Sequence, residues 1–257
     1  MSPRPLPALQ DNYIWLLADT AGEALVVDPG EAAPVLAALA GRELAAILLT
    51  HHHPDHIAGT AGLLERWPGA RVFAPDDDRI PYPARSVGDG DRIEAASRAF
   101  DVIAVPGHTR SHVAYHCADP DGGLLFCGDT LFSLGCGRLF EGTPAQMHDS
   151  LTRLAALPAG TRVCCGHEYT EANARFALAV EPGNRDLQRH AEAVRAMRAD
   201  GRPSLPSTLA VERACNPLLR VDAPGIRASL AQRLGHEPGD AVGAFAALRA
   251  WKDGFAG

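Results

Sequence analysis

Thr50-His51-His52-His53-Pro54-Asp55-His56 packs four histidines and one aspartate into six residues. It directly follows the apolar run Ala45-Ala46-Ile47-Leu48-Leu49. That run reads as a short buried strand, which puts the cluster on the loop at its C-terminal end, where ligand sites collect in α/β sheets. Imidazole and carboxylate donors together suit zinc, iron or manganese. A solvated histidine-rich loop would have the same composition. What argues for metal is recurrence: His108, Asp129 and His167 each follow a later apolar run.

These positions give five imidazoles (His51, His53, His56, His108, His167) and two carboxylates (Asp55, Asp129). One metal rarely needs seven ligands. The set favours two divalent ions, roughly 3.5–4 Å apart, with an aspartate able to bridge them. Two such cations, less Asp55, Asp129 and a bridging hydroxide, leave a residual charge of about +1 that would hold an anionic intermediate.

The elements that must position these groups follow from patterning. Residues 14–18 and 24–27 read as a hairpin turning near Thr20-Ala21-Gly22, 33–39 as a helix and 45–49 as the next strand. A helix is expected over 57–66, a short strand over 71–74, and mostly turns from 75 to 90. Strands over 99–105, 113–117, 124–127 and 163–165 end at His108, near Asp129 and near His167 or pack beside those that do. Thr143-Pro144-Ala145-Gln146 has capping-box form and should start a helix through Leu154. After Tyr169 extended runs give way to helices at 172–180, 186–197, 207–215 and 240–252, divided by Pro/Gly breaks. A boundary is placed near residue 170, dividing a strand-rich part, 1–168, from a helical part, 169–257.

The 257-residue chain is 46% hydrophobic and 21% charged, with net charge −7, which fits an ordinary globular protein and argues against a large nucleic-acid surface. The start, Met-Ser-Pro-Arg-Pro-Leu, lacks the apolar core of a signal peptide. No apolar run approaches the ~18 residues that span a membrane. A cytoplasmic monomer is expected. The six cysteines show no CxxC spacing, and vicinal Cys164-Cys165 reads as buried filler rather than a redox pair.

His-x-His-x-Asp-His, followed by Gly107-His108-Thr109, Gly128-Asp129-Thr130 and Gly166-His167, resembles the metallo-β-lactamase superfamily. Within it the chain resembles glyoxalase II, the hydroxyacylglutathione hydrolases, through Asp11-Asn12-Tyr13, Gly135-Cys136-Gly137-Arg138, Glu141-Gly142-Thr143, Cys165-Gly166-His167-Glu168-Tyr169, Asn216-Pro217 and Arg249-Ala250-Trp251-Lys252-Asp253. The resemblance implies an α+β fold: a four-layer αββα sandwich with the metal site at one edge and a C-terminal α-helical domain closing the cleft. It implies that His51, His53 and His108 hold a first metal, that Asp55, His56 and His167 hold a second, and that Asp129 bridges. Asp55 and Asp129 would be catalytic together with a bridging hydroxide that attacks the thioester carbonyl. Zinc is the leading expectation, with iron or manganese also suited.

The resemblance further implies a glutathione thioester as substrate, chiefly S-D-lactoylglutathione, contacted by Arg138, Phe140, His167, Tyr169, Arg249 and Lys252. Arg138 stands where lysine is common, and Phe140 where tyrosine is common. Asp28 and His112 are candidates for hydrogen bonds behind the ligands, although a turn-forming role for Asp28 and a structural role for His112 fit equally. His52 is expected to point away from the metals. A glutathione persulfide dioxygenase with one iron, and a lactonase or β-lactamase, are the alternatives within the same superfamily.

Overall fold

The computed structural model describes residues 2–18, 22–119 and 122–255. The turn expected near Thr20 and Ala21 lies outside those residues. The first sheet is built from β1 (Arg4–Ala8), β2 (Asn12–Ala18), β3 (Glu23–Val27), β4 (Glu43–Leu48), β5 (Arg71–Pro75) and β6 (Arg85–Val87), paired in that order. The first three strands run antiparallel and the rest parallel. The parallel steps need crossovers, supplied after β3 by α1 (Ala33–Ala38) and after β4 by α2 (Pro54–Ile57) and α3 (Thr60–Arg66).

The second sheet contains β7 (Arg92–Ala95), β8 (Arg98–Ala104), β9 (Val113–Cys117), β10 (Leu124–Gly128), β13 (Arg162–Cys165) and β14 (Ser207–Thr208), in the order β14-β13-β10-β9-β8-β7. A two-stranded ribbon, β11 (Leu131–Phe132) and β12 (Gly135–Cys136), and the helix α4 (Pro144–Ala155) fall between β10 and β13. The expected capping box at α4 is formed: Gln146 N donates to Thr143 Oγ1, and Thr143 N to Gln146 Oε1.

Side chains alternate across a strand, and β2 shows what that does. Tyr13, Trp15 and Leu17 face the second sheet, packing in one core with Phe100, Val102, Tyr115 and Phe126. Ile14 and Leu16 face outward and are covered with Val35, Leu39, Leu63 and Trp67 from the α1 and α3 side. Each such fully buried side chain contributes about 1.5–3 kcal/mol. The layers are therefore helix, sheet, sheet, helix, as the resemblance implies.

The C-terminal part comprises α5 (Thr170–Val180), α6 (Arg185–Ala199), α7 (Leu209–Cys215), α8 (Pro224–Leu234) and α9 (Ala241–Asp253). It shares the main core: Phe176, Val180, Phe245 and Leu248 pack in the same cluster as Met147, Leu151 and Phe126.

Several elements depart from the sequence expectation. β1 carries Pro5 and Pro7, which weigh against a strand, but it is an edge strand, where a missing N–H costs least. The 75–90 segment contains β6 at its end. The helix expected over 57–66 is instead two pieces, because Pro54 starts α2 early and the chain bends at Gly59, whose N–H donates to Pro29 O. Extended backbone does not end at Tyr169, since residues 207–208 pair with β13. α8 went unread because only Ile226 and Leu230 on it are buried, too thin a stripe to show in the sequence.

Candidate metal centre and substrate cleft

The four ligand-bearing segments meet at one edge of the sandwich, stitched by backbone hydrogen bonds between strand ends. Val113 N donates to Thr50 O at 2.9 Å, Gly166 N to Gly128 O at 3.0 Å, and Tyr13 N to Gly166 O at 2.8 Å. Gly166 is required for space, as a Cβ there would lie 2.7 Å from both Asp129 Oδ1 and His56 Cε1. Gly128, at φ +45°, would drive a Cβ to 2.3 Å from Thr50 Oγ1.

His51, His53 and His108 form one cluster, with His53 Nδ1 3.1 Å from both His51 Nε2 and His108 Nε2. Asp55, His56 and His167 form a second, with Nε2 of His56 and of His167 3.3 Å apart and each 3.4 Å from Asp55 Oδ2. Asp129 lies between them: Oδ1 is 3.4 Å from His56 Nε2, and Oδ2 is 3.4 Å from His108 Nε2 and His167 Nε2. Donors on one tetrahedral zinc, with bonds of about 2.0–2.1 Å, sit about 3.3 Å apart. The spacing of both clusters is that of ligands around an ion.

Proton positions agree. A carbonyl or carboxylate can only accept, so His108 Nδ1 donates to Arg138 O (2.9 Å), His56 Nδ1 to Asp28 Oδ2 (3.1 Å) and His167 Nδ1 to Asp11 Oδ1 (2.8 Å). Thr50 Oγ1 gives its proton to Asp28 and so accepts from His51 Nδ1 at 3.0 Å. Each of these four rings therefore directs Nε2 inward, the atom that ligates once its proton is displaced by a metal. Asp129 Oδ1 is buried without a hydrogen-bond partner among the described residues, a costly state that a cation removes.

Electrostatics divide the clusters. Burial and neighbouring imidazoles push His51 far down and His53 to about 4, and burial also lowers His108. These rings are neutral, the ligating form. Burial opposes charge on His56 and His167, but the Asp129 carboxylate, with Asp28 beside the first and Asp55 beside both, outweighs it. His56 is held well above its usual range and His167 at about 10. Burial likewise opposes ionisation of Asp55 and Asp129, yet the imidazoles around them hold both far below the carboxylate range.

Asp28, at φ +51°, accepts from Thr50 N, Thr50 Oγ1 and His56 Nδ1, so it turns the chain and holds both ends of the Thr50–His56 loop. His112 stacks on His51 and accepts from Asp129 N through Nε2. His52 faces Asp77 and Glu141, away from the clusters.

Beside the clusters lies a cleft of about 480 Å³. His108 and Asp129 line it together with Cys136 of β12, Arg138 and residues of α5 and α9. Arg138, Phe140, Tyr169, Arg249 and Lys252 all line it. Arg249 is buried, 5% exposed, with one Nη donating to Cys136 O and the other to Asp253. Lys252 Nζ donates to Ala172 O and lies 5.2 Å from the Phe176 ring centroid. Tyr169 stacks parallel on His167, 4.7 Å away, and Phe140 is exposed, edge-on to His108.

Asp11 and Asn12 were not singled out as site residues, yet Asp11 holds His167, and Asn12 Nδ2 donates to Asp55 Oδ2 at 3.0 Å and Asp55 O at 3.2 Å. Their place in the Asp11-Asn12-Tyr13 motif was the available signal.

Residues 9–167 match the family model for the metallo-beta-lactamase superfamily, and residues 168–255 match that for the hydroxyacylglutathione hydrolase C-terminus. A hydroxyacylglutathione hydrolase of Xanthomonas euvesicatoria pv. vesicatoria is 56% identical over 252 residues, covering 97% of each chain. The chain belongs to the hydroxyacylglutathione hydrolases.

Members of that family are thioester hydrolases, and this chain is one. Among solved structures it is similar to ETHE1 from Myxococcus xanthus (27% identity, TM-score 0.66, 98% of this chain and 100% of that one). It is also similar to TTHA1623 in a di-iron-bound form (33% identity, TM-score 0.54, 65% and 92%). The superfamily membership and the donor clusters together make it a protein that binds divalent metal. No helix among the described residues is long and apolar enough to cross a membrane.

Proposed function

We propose that this chain hydrolyses S-(2-hydroxyacyl)glutathione thioesters, chiefly S-D-lactoylglutathione to D-lactate and glutathione, the last step of methylglyoxal detoxification. The observation that carries the reading is one juxtaposition: two donor clusters sharing Asp129 open into a cleft that also presents Arg138, Arg249 and Lys252. His51, His53 and His108 would hold one ion; Asp55, His56 and His167 would hold the other; and Asp129 would serve both. Zinc is the leading candidate, and iron or manganese suits the same donors. Divalent ions bound there would supply hydroxide at neutral pH and polarise the substrate carbonyl.

The chain's own residues do the rest. The three cations attract the carboxylates of glutathione in an otherwise acidic protein. Tyr169, kept protonated by burial and by the carboxylates of Asp11, Asp129 and Asp55, offers a phenol donor beside His167. His112, Asp28, Asp11 and Asn12 fix the ligands in place. The leaving group is a thiolate, stable enough to depart without a general acid, and no side chain of the cleft is needed for that proton.

Residues 1–168 would form the catalytic part and 169–257 the substrate-binding part. Six free, buried cysteines suit a reducing cytoplasm, where we place the protein as a monomer. The test is turnover of S-D-lactoylglutathione by metal-replete protein, followed as loss of thioester absorbance with release of free thiol. A kcat/KM of about 10⁴–10⁸ M⁻¹s⁻¹ supports the reading. Oxygen uptake on glutathione persulfide with iron alone, and no thioester turnover, would replace it with a dioxygenase.

A further inference from the structure

The two donor clusters differ in what stands behind their histidines. In the first, His51 Nδ1 donates to the Thr50 hydroxyl and His108 Nδ1 to the Arg138 carbonyl. Both acceptors are neutral. In the second, His56 Nδ1 donates to Asp28 and His167 Nδ1 to Asp11. Both acceptors are carboxylates. An anion behind an imidazole raises its basicity and fixes its orientation, and loss of such a partner typically weakens metal binding.

Asp28 cannot isolate this effect, because it also holds Thr50 and so the first cluster's loop. Asp11 can. It lies in the turn between β1 and β2, its side chain is 39% exposed, and its carboxylate hydrogen-bonds only His167 among the described residues. The turn itself is held by backbone: Glu168 N donates to Asp11 O at 2.9 Å, and Tyr13 N to Gly166 O at 2.8 Å. Removing the Asp11 carboxylate leaves those bonds intact.

We infer that Asp11 is a positioning residue that sets how tightly the second cluster (Asp55, His56, His167) holds its metal, acting by its charge on His167 and leaving the first cluster independent of it. This rests on the two-metal reading above. Asn12 supports the same cluster from the same turn by fixing Asp55, but it carries no charge, so Asp11 is the electrostatic half of the device.

The experiment is chelator competition for zinc on the wild-type protein and on Asp11→Asn and Asp11→Ala, with cobalt spectra identifying which cluster is filled. Asp11→Asn keeps an acceptor for His167 and removes only the charge. The second-site affinity should fall about 10- to 100-fold in Asp11→Asn and at least as far in Asp11→Ala, with the first site within about twofold of wild type. After mild chelation the variants should keep one metal per chain where the wild type keeps two. An unchanged second site in Asp11→Asn, or equal weakening of both sites, overturns the inference. A wild-type chain that binds only one metal overturns the two-metal reading itself and the inference with it. Should Asp11→Ala fail to fold, Asp11→Asn decides alone.

Discussion

The guanidinium of Arg249, on the last helix, donates to the backbone carbonyl of Cys136 at 2.9 Å, on the ribbon that forms one wall of the cleft. One side chain thus ties the last helix to the β11–β12 ribbon and places a buried cation in the lining of the cleft. Its Nε has no hydrogen-bond partner among the described residues. Arg249→Ala should raise KM for the glutathione thioester about 10- to 100-fold, the loss of a charge-assisted contact of about 1.5–3 kcal/mol, with kcat changed far less. Steady-state kinetics check this. A fall in kcat at constant KM would move Arg249 out of substrate binding.

Lys252 supplies a pH signature. Burial, and then Arg249 and Arg175, lower its ammonium to about 8, while Asp253 and the Cys136 thiol pull the other way. The ammonium is charged below that value and loses its charge as pH rises through it. Because kcat/KM reports the free enzyme, it should decline above pH 8 in the wild type. Lys252→Arg keeps its charge, so this limb should vanish. Superimposable profiles would assign the limb elsewhere.

Phe140 lines the cleft, 62% exposed and edge-on to His53 and His108. Phe140→Tyr adds one hydroxyl to that lining. A hydrogen bond worth about 0.5–1.5 kcal/mol would lower KM roughly 2- to 10-fold. Unchanged KM and kcat would show that this ring only packs.

Glu212 tests the scaffold separately from the chemistry. It is fully buried on α7 and accepts from Leu134 N, Ser207 Oγ and Asn216 Nδ2. Glu212→Ala strands the buried Leu134 N and Ser207 Oγ donors, at about 1–3 kcal/mol. Thermal unfolding should begin several degrees lower, with metal content unchanged at low temperature. Loss of metal from a folded variant would place Glu212 in the site's support.

The two donor clusters were legible because each candidate ligand stands after an apolar run and four lie on one short loop, from Thr50 to His56. The groups behind them were less so. Asp11 meets His167 across 156 residues of chain, and no local pattern signals a hydrogen bond between a hairpin turn and a distant strand end. Arg249 was placed at the substrate cleft only through the resemblance, and its burial comes from the packing of α9 beside α4 and α8. β1 was hidden by its prolines and α8 by its thin apolar stripe. In both cases tertiary position, an edge or a shallow groove, overrode the local preference.

The central claim is thioester hydrolysis by a chain that uses both donor clusters. The most direct test is titration of the metal-free protein with zinc while following S-D-lactoylglutathione hydrolysis and metal per chain together. Activity should reach its plateau as the second equivalent binds. A plateau at one equivalent, or no hydrolysis with two bound, would contradict the account.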